Sequence, residues 1–210
     1  MPPASTMLPF VAAILVMLIT PGPVVMYIIT RSTERGRIAA LVSVLGVGLA
    51  SVVHVSVAVF GIAGLLAASP VAFRVIQYAG AGWLVWLGIR AFRAGGENAA
   101  VVTGNATSLA GAFAEGFTVN ILNPKAPLFF IAFLPQFVNP ANGDVKTQVA
   151  WLGATFAALG MVTDSSWAMV AHAAGRWLAQ HQSIWRNRHY VTGSVLCGLG
   201  LVAALAAVRQ

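Results

Sequence analysis

The sequence predicts an all-α membrane protein with six transmembrane helices, on the basis of its composition and the spacing of its apolar runs. Of the 210 residues, 59% are hydrophobic and only 8% are charged. A soluble domain usually carries about 25% charged residues. The apolar residues also form runs long enough to cross a bilayer, which takes roughly 20 residues in a helix.

Six apolar runs are separated by short polar or proline-containing segments. They extend over residues 7–30, 38–68, 71–92, 109–138, 149–174 and 190–208. Proline separates the second run from the third at Ser69-Pro70, because it disfavours helix in the residue before it. Residues 94–108 are rich in Gly, Asn, Thr and Ser and are predicted to form a loop. We therefore predict a single membrane domain over residues 1–210.

The charges predict the orientation of the chain. With the N-terminus outside, the inner connections hold most of the basic residues, which are Arg31, Arg35, Arg37, Arg90, Arg93, Arg176, Arg186 and Arg188. The outer ends hold Arg74, Lys146 and Arg209. Because cytoplasmic loops carry the excess of Lys and Arg, both termini are predicted to lie outside. Cationic loops also explain the net charge of +7 better than nucleic-acid binding does.

Closely spaced prolines interrupt two of the six runs near their middle. Thr20-Pro21-Gly22-Pro23 lies in the first run and Asn123-Pro124-Lys125-Ala126-Pro127 in the fourth. Proline lacks a backbone donor and leaves carbonyls of the preceding turn unpaired. Inside a membrane, such unpaired carbonyls are tolerated only where they face protein or a water-filled cavity. The first and fourth helices are therefore predicted to be broken.

The two breaks are matched in sequence order. The shift that carries Pro21 onto Pro124 also carries Phe10 onto Phe113. Residues 7–93 and 109–208 then form two three-helix repeats, and an odd number of helices makes the repeats enter the membrane in opposite directions. Inverted repeats of this kind are typical of secondary transporters, whose broken helices meet at mid-membrane and present their ends to the substrate.

Two segments resemble the signatures of a known family. These are TPGPVVMYIITRSTERGRIAALVSVLGVGLASVVH and GFTVNILNPKAPLFFIAFLPQFV. They are similar to the two signature regions of the lysine-exporter (LysE/RhtB) family of amino-acid efflux proteins, and the similarity extends over nearly the whole chain. The resemblance implies export of amino acids or their derivatives across the bacterial inner membrane, driven by an ion gradient, with protons as the expected coupling ion. No cofactor is expected, and the choice between monomer and homodimer stays open.

Three ionisable residues inside the predicted spans are candidates for the mechanism, because such residues are costly in lipid. Lys125 would hold a substrate carboxylate or exchange a proton, unless it is a structural lysine paired with an acid or with open carbonyls. Asp164 would bind a substrate amine, carry a coupling proton or pair with Lys125. His54 would relay protons or bond to a neighbouring helix. Glu115 is interpreted as a solvated carboxylate at the inner interface.

The polar residues around the breaks complete the predicted substrate site. Asn120 and Asn123 lie one turn apart in the fourth run, and the hydroxyl of Thr20 is expected to cap the helix after Pro21. Such caps direct positive helix ends toward an anion. The glycines of the second run are instead expected to permit close helix packing; they are Gly46, Gly48, Gly61 and Gly64.

Several other functions fit the sequence less well. It has no GxxxxGK[ST] phosphate loop and no HExxH or GxSxG arrangement, so neither ATP hydrolysis nor an intramembrane enzyme is expected. A single cysteine, Cys197, makes no disulfide framework. Two alternatives stay open: a metal-cation exporter of similar six-helix plan, which would use residues such as Asp164 and His54, and a non-transporting membrane subunit.

Overall fold

The computed structural model describes residues 2–93, residues 108–180 and part of residues 190–205. All regular structure in these ranges is helical, in agreement with the predicted all-α class. The helices are α1 (Ala4–Ile19), α2 (Pro23–Ala68), α3 (Pro70–Arg93), α4 (Leu109–Ile121), α5 (Lys125–Ala132) and α6 (Val145–Gln180). Two short 3-10 helices, Leu134–Phe137 and Pro140–Asn142, connect α5 to α6. Most of the predicted loop and about half of the sixth predicted span lie outside the described residues.

Both proline-containing segments interrupt the helices. α1 ends at Ile19 and α2 begins at Pro23, while α4 ends at Ile121 and α5 begins at Lys125. Proline suits the first position of a helix, because its missing N–H would have no helical partner there. The predicted interruptions are therefore confirmed.

A bend at Gly36 divides α2 into two arms. The φ of 83° and ψ of 171° at this residue are not helical, and glycine tolerates such a φ because it has no Cβ. Residues 23–35 form the short arm and residues 37–68 the long arm. The sequence placed Arg31 in a connection between helices, and this is wrong. The helix continues past Arg31, whose side chain is buried.

By length and composition, two described helices are long and apolar enough to cross a membrane. They are Pro23–Ile62 within α2 and Val145–Ala174 within α6. Large apolar side chains such as Leu8 and Phe60 are about 70% exposed, which suits contact with lipid. The count of six spans stays a prediction, because the broken segments are short and much of the last span is not described.

A phenylalanine cluster packs α1, α5, the first 3-10 helix and α6 together. It comprises Phe10, Phe129, Phe130, Phe133, Phe137 and Phe156. The ring centroids of Phe130 and Phe156 are 4.8 Å apart, and those of Phe10 and Phe137 are 5.2 Å apart. Aromatic pairs at such separations attract each other beyond the burial of their area.

The long arm of α2 crosses α4 with the backbones in direct contact. A Cβ on Gly46 would overlap the carbonyl of Phe113, and a Cβ on Gly116 would overlap the carbonyl of Ser43. Glycines on both helices therefore permit this crossing, because any larger side chain would force the two backbones apart.

Two of the four predicted packing glycines make close contacts. Gly46 faces α4, and a Cβ on Gly48 would lie 3.0 Å from the sulfur of Met161 on α6. Gly61 and Gly64 have no described atom within 4 Å of where a Cβ would lie. The packing role is confirmed for Gly46 and Gly48, and the described residues give none to the other two.

We expect Gly46→Ala to destabilise the protein by about 1–3 kcal/mol, the usual cost of overpacking, because a backbone carbonyl cannot move aside as a side chain can. Gly61→Ala is the matched control and should unfold at the wild-type temperature or above. The measurement is thermal unfolding in detergent. Equal unfolding temperatures for Gly46→Ala and wild type would contradict the close crossing.

Candidate functional site

The break between α1 and α2 leaves backbone carbonyls without their helical donors. In a continuous helix residue 21 would donate to the carbonyl of Met17, but Pro21 has no N–H. The ammonium group of Lys125 donates instead to the carbonyl of Met17 at 2.8 Å and to that of Thr20 at 3.1 Å. The lysine of one broken segment therefore binds the open carbonyls of the other.

The side chain of Thr20 does not play the expected capping role. Its hydroxyl donates back to the carbonyl of Val16 at 2.6 Å, so it closes the end of α1. The first turn of α2 is instead marked by the bond from the N–H of Met26 to the carbonyl of Gly22, at 2.9 Å. Thr20 contributes to the site through its carbonyl, which Lys125 binds.

Two asparagines hold the break between α4 and α5. The side-chain oxygen of Asn123 accepts a hydrogen bond from the backbone N–H of Lys125 at 3.1 Å. The amide nitrogen of Asn120 donates to the carbonyl of Val47 at 2.8 Å and to the hydroxyl of Ser51 at 3.0 Å. Asn120 therefore ties α4 to the long arm of α2, and Asn123 orients the start of α5.

A small cavity of about 50 Å³ lies where the two breaks meet. Its wall includes five of the predicted site residues, which are Gly22, Asn120, Asn123, Lys125 and Asp164. Pro21, Pro23 and Pro124 shape the breaks but do not line the cavity. A space of this size holds a few water molecules.

Lys125 and Asp164 present opposite charges to the same cavity. Asp164 is 7% exposed, and no described residue hydrogen-bonds to its carboxylate. Within the described chain the two groups form no direct salt bridge, so they attract each other across the cavity. The direct pair that the sequence allowed is absent. A buried charge without a close partner is costly, and a solute that met both charges would lower that cost.

His54 lies on the long arm of α2, three residues after Ser51, and does not line the cavity. Its ring contacts the carbonyl of Ile121, the last residue of α4. Its Nδ1 is fully buried and has no hydrogen-bond partner among the described residues. His54 therefore contacts the end of α4, where the break between α4 and α5 begins. Its second ring nitrogen, Nδ1, stays available to bind a proton.

Besides Met17 and several aliphatic residues, the cavity wall includes three residues that were not predicted from the sequence, namely Ser51, Phe156 and Gly160. Phe156, Gly160 and Asp164 recur at intervals of four residues and so share one face of α6. That spacing was the available signal for two of the three. Ser51 carried only the weaker signal of a polar residue near His54 in an apolar run.

A buried polar group, the Arg31–Glu115 cluster, joins the two arms of α2 to α4 outside the cavity wall. It comprises Tyr27, Arg31, Ser43 and Glu115. Arg31 is 3% exposed and forms a salt bridge with Glu115. The hydroxyl of Tyr27 lies 3.3 Å from the Glu115 carboxylate and 3.1 Å from the hydroxyl of Ser43. The interpretation of Glu115 as a solvated carboxylate is wrong, because it neutralises a buried guanidinium.

The phenylalanine cluster reaches the cavity through Phe156. Phe156 belongs to both, since it lines the cavity and packs on Phe129 with ring centroids 5.6 Å apart. One wall of the cavity is therefore supported by a group of packed aromatic rings.

Comparison with known proteins gives consistent results. A family model described as LysE type translocator matches residues 15–207. A homoserine/homoserine lactone efflux protein of Salmonella typhimurium is 29% identical over 160 residues, 76% of this chain and 77% of that protein. An uncharacterized membrane protein of Vibrio cholerae is 28% identical over 188 residues, 90% of this chain and 91% of that protein.

A leucine efflux protein of Salmonella choleraesuis is 28% identical over 130 residues, 61% of each chain. No solved structure matches the chain. The family match covers the broken segments, the cavity and most of the remaining chain. The protein belongs to the LysE-type translocator family of membrane transport proteins.

Proposed function

We propose that this protein is a secondary exporter that moves amino acids or close derivatives out of the cytoplasm. The observation that carries the proposal is the pair of opposite charges, Lys125 and Asp164, on one cavity. An amino acid carries a carboxylate and an ammonium group on the same carbon. With the carboxylate at Lys125 and the ammonium at Asp164, each buried charge gains a charged hydrogen-bonding partner. The relatives named for efflux of homoserine and of leucine support this substrate class.

The ends of the broken helices add to the binding of the carboxylate. Gly22 and Ala126 line the cavity at the beginnings of α2 and α5. Helix N-termini carry partial positive charge and free N–H groups, so both ends favour an anion beside Lys125. In this proposal Thr20, Pro21 and Pro23 form one end, and Asn120, Asn123 and Pro124 form the other.

Proton antiport is proposed as the coupling. Asp164 would hold the solute ammonium in one step and a proton in another, so that solute and proton compete for one carboxylate. His54, with its Nδ1 open, would pass protons toward the cavity. Because proton and solute occupy the carboxylate in turn, proton entry down its gradient would drive solute export without direct contact between the two.

The proposed architecture is six transmembrane helices in two inverted repeats, residues 7–93 and 109–208. The position of the cavity where both broken segments meet supports it. When the buried Arg31 is left out of the count, the predicted inner connections still hold more basic residues than the outer ends. We therefore propose a multi-pass protein of the bacterial inner membrane with both termini outside.

We expect purified protein in liposomes to release labelled amino acids faster when a pH gradient is imposed. The measurement is efflux of a labelled amino-acid mixture with and without the gradient, beside protein-free liposomes. Gradient-dependent flux of divalent metal without amino-acid flux would favour a metal-cation exporter. Absence of both fluxes would favour a non-transporting subunit, and either result would contradict the proposal.

A further inference from the structure

Gly160 lies on the cavity-facing side of α6, between Phe156 and Asp164. All three residues line the cavity. A glycine inside a helix costs about 0.5–1 kcal/mol relative to alanine, so its presence invites a reason. The usual reasons are a positive φ, a very close helix contact or a need for empty space beside the backbone.

The first two reasons do not apply to Gly160. The described glycines with positive φ are Gly36 and Gly143. A Cβ on Gly160 would meet one described atom, Cδ2 of Leu18, at the ordinary contact distance of 3.7 Å. Gly153 on the same helix is different, because a Cβ there would overlap the side chain of Val55. The remaining feature of Gly160 is the space that it leaves in the cavity.

We propose that Gly160 sets the largest solute side chain that the cavity accepts, an inference that rests on the proposed function. Gly160 lies one helical turn from Asp164, so a solute held by its ammonium group has its side chain near this wall. Alanine at position 160 would place a methyl group on the same stretch of cavity wall that Phe156 and Asp164 line. This methyl group would take space from the solute side chain and leave less room for the larger ones.

The test is Gly160→Ala in liposomes loaded with glycine, homoserine or leucine. A single methyl group in an apolar pocket discriminates by about 10- to 200-fold. We expect efflux of the larger solutes relative to glycine to fall at least about tenfold, with glycine efflux retained. Gly61→Ala, which lies away from the cavity, is the matched control and should keep wild-type ratios.

Protein stability separates this role from a structural one. Alanine is the better helix former and fits without overlap, so Gly160→Ala should unfold at the wild-type temperature or above. Gly160→Ser, of similar size, should change the ratios in the same direction. If Gly160→Ala left the efflux ratios unchanged, or lowered the efflux of all three solutes equally, the inference would be overturned. The proposed function would still stand, provided that the wild-type protein transports. Absence of flux for the whole labelled amino-acid mixture in wild type would overturn the proposed function itself.

Discussion

Lys125→Gln is expected to abolish amino-acid flux in liposomes while the protein still inserts and purifies as a folded species. Glutamine keeps an N–H₂ group that can donate to the carbonyls of Met17 and Thr20, which Lys125 binds at 2.8 and 3.1 Å. It has no positive charge for a solute carboxylate. The variant therefore keeps the hydrogen bonds that support the end of α1 and removes only the charge proposed to bind the solute. The measurement is gradient-driven efflux together with thermal unfolding in detergent.

Lys146→Gln is the matched control, because Lys146 is exposed at the start of α6 and lies away from the cavity. It should transport as wild type does. Lys125→Ala should also lose flux, and it should unfold at a lower temperature than Lys125→Gln, since it leaves two carbonyls without a donor. Normal flux in Lys125→Gln would remove the positive charge of Lys125 from the transport mechanism.

Glu115→Gln is expected to give a large loss of stability. Removing one partner from a buried ion pair costs about 3–5 kcal/mol, because the other charge stays buried. Glu115 is 23% exposed and Arg31 only 2% by side chain, so the loss should fall near 3 kcal/mol, the lower end of that range. The measurement is the free energy of unfolding in detergent. Glu34→Gln, at an exposed position on the same arm as Arg31, should have little effect.

A double variant distinguishes a lost counter-charge from lost packing. Replacing a buried ion pair by apolar side chains of similar volume is often neutral or stabilising. Arg31→Met combined with Glu115→Leu should therefore recover most of the stability that Glu115→Gln loses. Wild-type stability in Glu115→Gln alone would show that the salt bridge does not hold the short arm of α2 to α4.

Much of the fold and part of the candidate site could be predicted from the sequence. Long apolar runs predict helices, and Pro21 and Pro124 predict where two of them stop, because both effects are local to the backbone. Lys125 and Asp164 could be chosen for a similar reason, since an ionisable residue in an apolar run must find some partner. The spacing of Phe156, Gly160 and Asp164 shows that the cavity-facing side of α6 could also have been predicted from the sequence.

The partners of these residues could not be predicted, because each joins segments that are far apart in the chain. Only the packed structure shows that Lys125 donates to carbonyls of α1, that Asp164 faces it across a cavity without touching it, and that Thr20 closes α1 instead of capping α2. The same is true of Arg31. Its sequence position among Glu34, Arg35 and Arg37 indicates a solvated turn, but Gly36 places the bend later and the packing of α4 brings Glu115 to a buried guanidinium.

The sequence by itself therefore determined the class of the protein, the helix breaks and the charged residues that need an explanation. The hydropathy of a run and the missing N–H of a proline affect the backbone only within a few residues along the chain. The tertiary structure alone decided which open carbonyl met which donor and which charges shared a cavity, because those contacts depend on how the helices pack. Gly46 and Gly160 show the difference, because the same type of residue permits a backbone crossing in one place and lines a cavity in the other.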